Sequence, residues 1–302
     1  MQTMYHFPAL FLIPDFDEPV VCGKYSLVRR RWDTSIFDLA TLATKHKIHL
    51  PYQLMDVLLG ACNCEIAVTE ASSPSEAIEL FQYLRVGLYV AGVSPFIAPF
   101  LATESINNYS GINERDSALE RGATPKIPSD FSTSTGQMEA WPYELTHQCA
   151  ALPERLQISV TQFQEAVVFA DRWQAATKIS PSLNAVVGAV TSAPRLGSLP
   201  QAILHVWTAI ESLLPSVNTE VSFRIALYLT ALCETSPNRS AFHKHAKSAY
   251  SVRSKIAHGS SPGVGLPEWE AAWQLVLSVA KAIAERGKLP TEEQLLIEVL
   301  DG

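Results

Sequence analysis

An arginine and a histidine with complementary chemistry, Arg253 and His258, stand five positions apart near the end of one predicted helix. From Phe242 onward, apolar residues recur at three- and four-residue steps, and Arg253 occupies one place in that apolar stripe. A guanidinium in such a stripe is rarely buried unless it is paired or has a function. Arginine binds phosphate through a permanently charged fork, and histidine exchanges a proton near neutral pH. The pair therefore suits metal-free cleavage of a phosphodiester, in which histidine moves the proton and arginine stabilises the charged transition state.

The spacing of the two residues raises a geometric difficulty. Five residues on an ideal helix separate two side chains by about 140°, so Arg253 and His258 do not share a face. Their convergence requires the length of arginine, distortion at the helix end that Gly259 predicts, or a second copy of the chain. Two structural alternatives stay open. Arg253 forms an ion pair with Glu211 of a preceding helix, and His258 interacts favourably with the helix dipole.

Composition indicates a globular protein without a membrane span. The chain has 302 residues, of which 47% are hydrophobic and 18% charged, and its N-terminus does not read as a signal peptide. Its 5 cysteines are irregularly spaced, which favours reduced thiols and a cytoplasmic location. Cys62 and Cys64 resemble half of a metal site, but no second Cys/His pair completes it. We therefore expect no metal, no cofactor and no membrane partner.

Charge is unevenly distributed along the chain. The net charge of −7 argues against general coating of nucleic acid, and no DNA partner is expected. Between Glu234 and Glu268, however, no acidic residue occurs. This gap contains three lysines that are candidates for contacts with an RNA backbone, with a solvated basic face as the alternative: Lys244, Lys247 and Lys255.

Sequence patterns divide the chain into three regions and predict a mostly α fold. Residues 1–110 alternate strand and helix signals and form a smaller α+β region of unknown role. Residues 111–155 are rich in Gly, Ser, Thr and Pro and form a linker or irregular segment. Residues 156–302 predict a bundle of about five helices, with tryptophans such as Trp207 on apolar stripes and in the core.

The C-terminal region resembles the Apea-like branch of the HEPN superfamily, over roughly residues 156–288. The resemblance is carried, in chain order, by Trp207-Thr-Ala-Ile-Glu211, Phe223-Arg-Ile-Ala-Leu and the segment from Tyr250 through Arg253 to His258-Gly259. It implies a HEPN-type helical bundle that pairs as a homodimer. It also implies a metal-independent endoribonuclease in which one arginine and one histidine from each protomer line a shared cleft.

Carried over to these positions, the resemblance implies that Arg253 holds the scissile phosphate and that His258 is the acid and base. Glu211, Ser254 and Tyr250 would support them. It further implies RNA as the substrate, a 2′,3′-cyclic phosphate product, and a role in phage defence or toxin-like growth arrest. The alternative is a catalytically silent HEPN module that dimerises and binds RNA or a protein partner. The third hypothesis is a plain interaction scaffold, in which Arg253 and Glu211 form only an ion pair.

Overall fold

A computed structural model describes residues 4–31, 33–45, 47, 60–98, 100–109, 138–140, 156–234, 238–259 and 263–300. The predicted linker at 111–155 lies outside these residues apart from Met138–Ala140, and so does Cys149. Within the described ranges the fold is mostly α, with nine α-helices and a small N-terminal sheet. None of these helices combines the length and the apolar character needed to cross a membrane.

The chain divides into two compact units, of which the first comprises Met1–Phe81, Val93–Glu144 and Ala150–Gln164. Its strands are β1 (Tyr5–Leu10), β2 (Ile13–Pro14), β3 (Val20–Cys22), β4 (Tyr25–Arg29), β5 (Cys62–Val68), β6 (Phe96–Ile97), β7 (Phe100–Ala102), β8 (Met138–Ala140) and β9 (Gln157–Ile158). Helix α1 spans Ile36–Lys45, and helix α2 (Pro74–Val90) begins in this unit. The main sheet has the order β3-β4-β5-β1-β7-β8, with β6 beside β1, and its pairs are antiparallel.

The two faces of this sheet differ in their side chains, which are aromatic on one face and include polar residues on the other. Phe7 and Tyr25 lie on one face, where Phe7 stacks on Phe81 of α2 at 4.2 Å between ring centroids. The hydroxyl of Tyr25 donates to the Leu80 carbonyl at 3.0 Å, which fixes α2 against the same face. Because side chains alternate along a strand, the neighbouring positions in β1 and β5 point to the opposite face. That opposite face carries polar residues, and they are described below.

The second unit comprises Gln82–Gly92, Leu145–Cys149 and Glu165–Gly302. Beside the last turns of α2, its described residues form most of α3 and six further helices: α3 (Val160–Ile179), α4 (Leu183–Ser192), α5 (Leu199–Ser212), α6 (Val221–Cys233), α7 (Arg239–Ala257), α8 (Leu266–Arg286) and α9 (Glu292–Leu300). Helix α5 packs against α4, α7 and α8, while α6 packs against α7, α8 and α9. Helix α3 starts with a capping box, because Ser159 Oγ accepts the Gln162 N–H and Gln162 Oε1 accepts the Ser159 N–H.

The predicted count of about five helices was wrong, since the described residues after 156 form seven helices. The missed ones are α4 and α9. Helix α4 begins directly after a two-residue turn at Pro181. Proline is tolerated just before a helix, so Pro181 is compatible with a helix at this place. Helix α9 is short, with only Leu295 among its residues fully buried, so its apolar period is weak.

Tryptophans form the centre of the helical unit, as their positions on apolar stripes predict. Trp173, Trp207, Trp269 and Trp273 are almost completely buried, and Trp269 stacks on Trp273 at 5.2 Å. Gly87 in α2 allows a close approach to α3, because a Cβ at this position would lie 2.4 Å from the backbone oxygen of Ala166.

Candidate functional site

Helices α5 and α7 bring the motif residues together. On α5, Trp207 and Glu211 are one turn apart, and on α7, Tyr250 and Arg253 are one turn apart. Residues three or four apart share a face of a helix, so each pair presents two neighbouring side chains. The two helices pack against each other, and the two pairs meet in their contact. Four residues that are far apart in sequence therefore form one cluster.

The centre of the cluster is an ion pair. Arg253 Nη2 donates to Glu211 Oε2 at 2.6 Å, and the two side chains are 24% and 25% exposed. The contact uses one nitrogen and one oxygen only. Arg253 Nε and Glu211 Oε1 are buried and have no hydrogen-bond partner among the described residues. Because Nε is covered, a phosphate would have to bind the part of the Arg253 side chain that is exposed.

The ring of Tyr250 contacts both Arg253 of the ion pair and buried Trp207. The rings of Tyr250 and buried Trp207 meet edge to face, with 5.2 Å between their centroids and an interplanar angle of 89°. The guanidinium carbon of Arg253 lies 5.6 Å from the centre of the Tyr250 ring, within the range of a cation–π contact. Burial, and then the negative charge of Glu211, raise the pKa of the Tyr250 hydroxyl.

His258 occupies a different position from Arg253. It is the residue that follows the last turn of α7, where its backbone N–H donates to the Ser254 carbonyl at 3.1 Å. Gly259 then ends the helix with a φ of +75°, a conformation that glycine adopts without strain. The imidazole is exposed, and within the described part of the chain it has no hydrogen-bonding or ionic partner. Ser254 is partly buried, and its hydroxyl has no hydrogen bond with Arg253 among the residues that the structure describes.

The three candidate lysines lie on the same side of α7 as His258 and not on the side of Arg253. All three are exposed on α7. By the 100° step of an ideal helix, Lys244, Lys247 and Lys255 fall within about 60° of His258 but at least about 120° from Arg253. Helix α7 therefore presents two distinct faces. One contains Arg253 and packs on α5, and the other is a basic face that ends at His258.

The cysteine pair of the first unit does not have the character of a metal site. Cys62 and Cys64 are buried in β5, and Cys62 donates its thiol proton to the Cys64 carbonyl at 3.4 Å. Burial raises the pKa of Cys62 to about 12 and that of Cys64 well above its ordinary value, which disfavours the thiolates that a metal binds. Among the described residues, no three His, Cys, Asp or Glu side chains form a group that could hold a metal ion.

One polar cluster was missed by the sequence analysis. It surrounds Glu65, a carboxylate in the mostly apolar strand β5, where the side chain is only 2% exposed. An acid within a short apolar strand was the signal available in the sequence, because a buried carboxylate must be paired.

Comparison of the chain with protein-family models, curated proteins and solved structures returned no match.

Proposed function

We propose that the protein is a metal-independent endoribonuclease of HEPN type that acts as a homodimer, with a role in phage defence or toxin-like growth arrest. Arg253 binds the scissile phosphate and His258 transfers protons. The observation that carries the proposal is the arrangement on α7, where Glu211 holds a partly exposed Arg253 and an exposed His258 ends a basic helix face. The sequence resemblance supplies the reaction class.

The chemistry requires no group beyond those of the chain and the RNA. The 2′-oxygen attacks the neighbouring phosphorus, the bond from phosphorus to the 5′-oxygen breaks, and a 2′,3′-cyclic phosphate and a 5′-hydroxyl result. A neutral His258 takes the 2′-hydroxyl proton, and a protonated His258 delivers a proton to the leaving 5′-oxygen. Arg253 stabilises the added negative charge on the phosphorane oxygens. Glu211 acts as a positioning residue, because its contact with Nη2 orients the guanidinium while Nε remains unpaired.

A homodimer resolves the separation of the two residues. Within one protomer, Arg253 and His258 lie about 140° apart around the helix axis, which is unsuited to a shared phosphate. In a two-fold arrangement residue i of one protomer contacts residue j of its partner and the reverse, so Arg253 of one protomer is brought beside His258 of the other. Two histidines then provide one base and one acid, and the lysines on the face of His258 guide the RNA backbone toward it.

A second candidate function is a catalytically silent HEPN module that dimerises and binds RNA or a protein partner. The ion pair favours it, because Arg253 is already bound to Glu211 at 2.6 Å and the pair also serves packing between α5 and α7. In that case the lysine face binds RNA without cleavage.

The test is RNA cleavage by the purified full chain in the presence of EDTA, with a broad pool of cellular RNA. Arg253→Ala and His258→Ala are compared with the wild type, and His245→Ala is the matched control because His245 is also exposed on α7. We expect chelator-resistant cleavage with 2′,3′-cyclic ends, a loss of at least about 100-fold in both site variants, and no loss in the control. Folding and dimerisation are checked by circular dichroism and light scattering.

Two further outcomes separate the candidates. RNA binding without cleavage, weakened by Lys247→Ala with a salt slope reduced by about one unit, supports the silent module. Cleavage at equal rates in wild type and both site variants assigns the activity to a contaminant or to other residues and refutes the proposed site.

A further inference from the structure

One aromatic residue of the helical unit, Phe223 near the start of α6, lies on the surface. Its side chain is 47% exposed. The other aromatic residues that the structure describes in this unit are buried or partly buried, as Trp207 and Tyr228 are. A single exposed apolar side chain is ordinary on a protein surface, so the neighbours of Phe223 decide whether the ring has a function.

The ring of Phe223 lies against helix α7. Its centroid is 5.8 Å from that of the His243 ring, and the two ring planes meet at 72°. Lys247 is exposed and follows His243 by about one turn of α7, so these two side chains are neighbours on the helix surface. The contact with His243 therefore places an accessible aromatic ring close to an exposed ammonium group.

From His243 a polar stripe continues along α7 to the end of the helix. By the 100° step of an ideal helix, five exposed or partly exposed side chains fall within about 80° of one another: His243, Lys247, Ser251, Ser254 and His258. The stripe is about 22 Å long at 1.5 Å per residue. Helix α7 contains no acidic residue. A polar track without negative charge thus leads from the exposed ring to the proposed proton-transfer residue.

Arg224, the neighbour of Phe223 in sequence, is bound within the protein. Its Nη2 donates to the Tyr228 hydroxyl at 3.2 Å, and its guanidinium carbon lies 5.8 Å from the centre of the Tyr228 ring. This hydrogen bond, and then the charges of Glu292 and Glu220, raise the pKa of Arg224. Arg224 therefore offsets nearby acidic charge, and the positive charge available to a ligand beside Phe223 comes from α7.

We propose that Phe223 is a stacking platform for a base of single-stranded RNA, whose backbone follows α7 past Lys247 toward His258. The proposal rests on the RNA binding proposed above and adds the preferred form of the substrate. The bases of a duplex are already stacked on one another, so only a single strand places a base on the ring. Because every base has a π-face, an aromatic ring beside lysines binds single strands with little regard to sequence.

The experiment measures binding of a fluorescein-labelled 2′-O-methyl RNA of about 12 bases to the full chain by fluorescence anisotropy. The 2′-O-methyl groups prevent attack on phosphorus, so affinity is measured without cleavage. Phe223→Leu keeps an apolar contact with His243 but removes the stacking ring, and we expect it to weaken binding at least about tenfold. Phe223→Trp keeps a ring and is expected to bind as tightly as the wild type. Phe37→Leu is the matched control, because Phe37 is a 70% exposed phenylalanine of α1, and it should leave the affinity unchanged.

Salt dependence and strandedness separate stacking from charge. Lys247→Gln is expected to reduce the slope of log affinity against log salt by about one unit. Phe223→Leu should weaken binding at every salt concentration and leave that slope unchanged, because stacking releases no counterion. With the same RNA annealed to its complement, Phe223→Leu and the wild type should bind equally.

Four results would overturn the platform while leaving RNA binding by the protein intact. These are wild-type affinity in Phe223→Leu, equal losses in Phe223→Leu and Phe37→Leu, equal losses in Phe223→Leu and Phe223→Trp, and an equal loss for the duplex. Circular dichroism and light scattering accompany each variant, and loss of the dimer in Phe223→Leu would assign the ring to contact between two copies of the chain. Absence of RNA binding by the wild type would instead refute the proposed function, and the platform with it.

Discussion

A double-mutant cycle on Arg253 and Glu211 measures whether their ion pair stabilises the helical unit. The variants are Arg253→Gln, Glu211→Gln and the combination of both. The short Nη2–Oε2 distance of 2.6 Å and the exposures of 24% and 25% place the pair between two limits. Fully exposed pairs contribute about 0.2–1 kcal/mol, and hydrogen bonds to charged groups in buried settings contribute about 1.5–3 kcal/mol. We therefore expect a coupling free energy of about 1–2 kcal/mol.

The assay is urea unfolding at pH 7, followed by tryptophan fluorescence, because four tryptophans lie in the core of this unit. Each single variant is expected to lose about 1–2 kcal/mol, and the double variant is expected to be little worse than either single variant. Raising the salt concentration reduces the coupling only in part, since the pair is three-quarters buried. Glu165→Gln is the control partner for Arg253→Gln, because Glu165 is exposed on α3 and its effect is expected to be additive.

Additive effects of Arg253→Gln and Glu211→Gln would refute this reasoning. The contact would then contribute nothing to folding, and the arginine would be retained in the apolar stripe for a reason other than the ion pair. A coupling of the expected size, together with loss of RNA cleavage in Arg253→Lys, would show that the same arginine serves both stability and chemistry. Lysine keeps the charge but lacks the planar fork.

Three further predictions concern packing, pH and thiol reactivity. Gly87→Ala is expected to destabilise the protein by about 1–3 kcal/mol in urea unfolding, because its Cβ meets a backbone oxygen of α3 at 2.4 Å. Gly188→Ala, in α4 with nothing within 4 Å, is expected to stabilise by about 0.5–1 kcal/mol, and equal effects of the two changes would contradict the close helix approach. Arg286 lowers the pKa of Glu298, so this pair stabilises the fold above the unfolded pKa of glutamate, about 4.3, and its contribution is lost as pH falls through the lower folded value. The urea midpoint of Glu298→Gln should therefore depend less on pH below about 5 than that of the wild type, and identical pH profiles would argue against the shift. Cys62, whose pKa is raised to about 12, should resist iodoacetamide at pH 8 until urea unfolds the chain, as followed by peptide mass spectrometry, and rapid native labelling would contradict its burial.

Much of the helical organisation could be predicted from local patterns. The capping box at Ser159 and the helix end at Gly259 depend on residues a few positions apart, so the sequence predicts both directly. The burial of Trp207 follows from its place on an apolar stripe. Helices α4 and α9 were missed, because a proline precedes α4 and the apolar period of α9 is weak. Local sequence patterns therefore indicate neither helix clearly, and in the folded chain tertiary contacts add to those weak local preferences.

The candidate site was predicted in part. The sequence alone identified Arg253 as an unusual residue in an apolar stripe, and it offered Glu211 as a partner, since a partly buried guanidinium needs a counter-charge. The pairing itself is a contact between residues 42 positions apart, and only the packing of α5 on α7 decided it. The exposure of His258 and its place on the lysine face also required the three-dimensional helix, because exposure depends on what neighbouring elements cover.

The cluster around Glu65 was decided by the tertiary structure alone. His6 and Glu65 are 59 positions apart, and Ser105 is a further 40 positions away, so no local spacing connects them. The sheet register brings these strands together and the alternation of side chains selects their face. What the sequence determined by itself was the presence of a carboxylate in an apolar strand, which requires a partner because burying an unpaired charge is too costly. Which partner satisfies it depends on strand order, and strand order is a property of the fold.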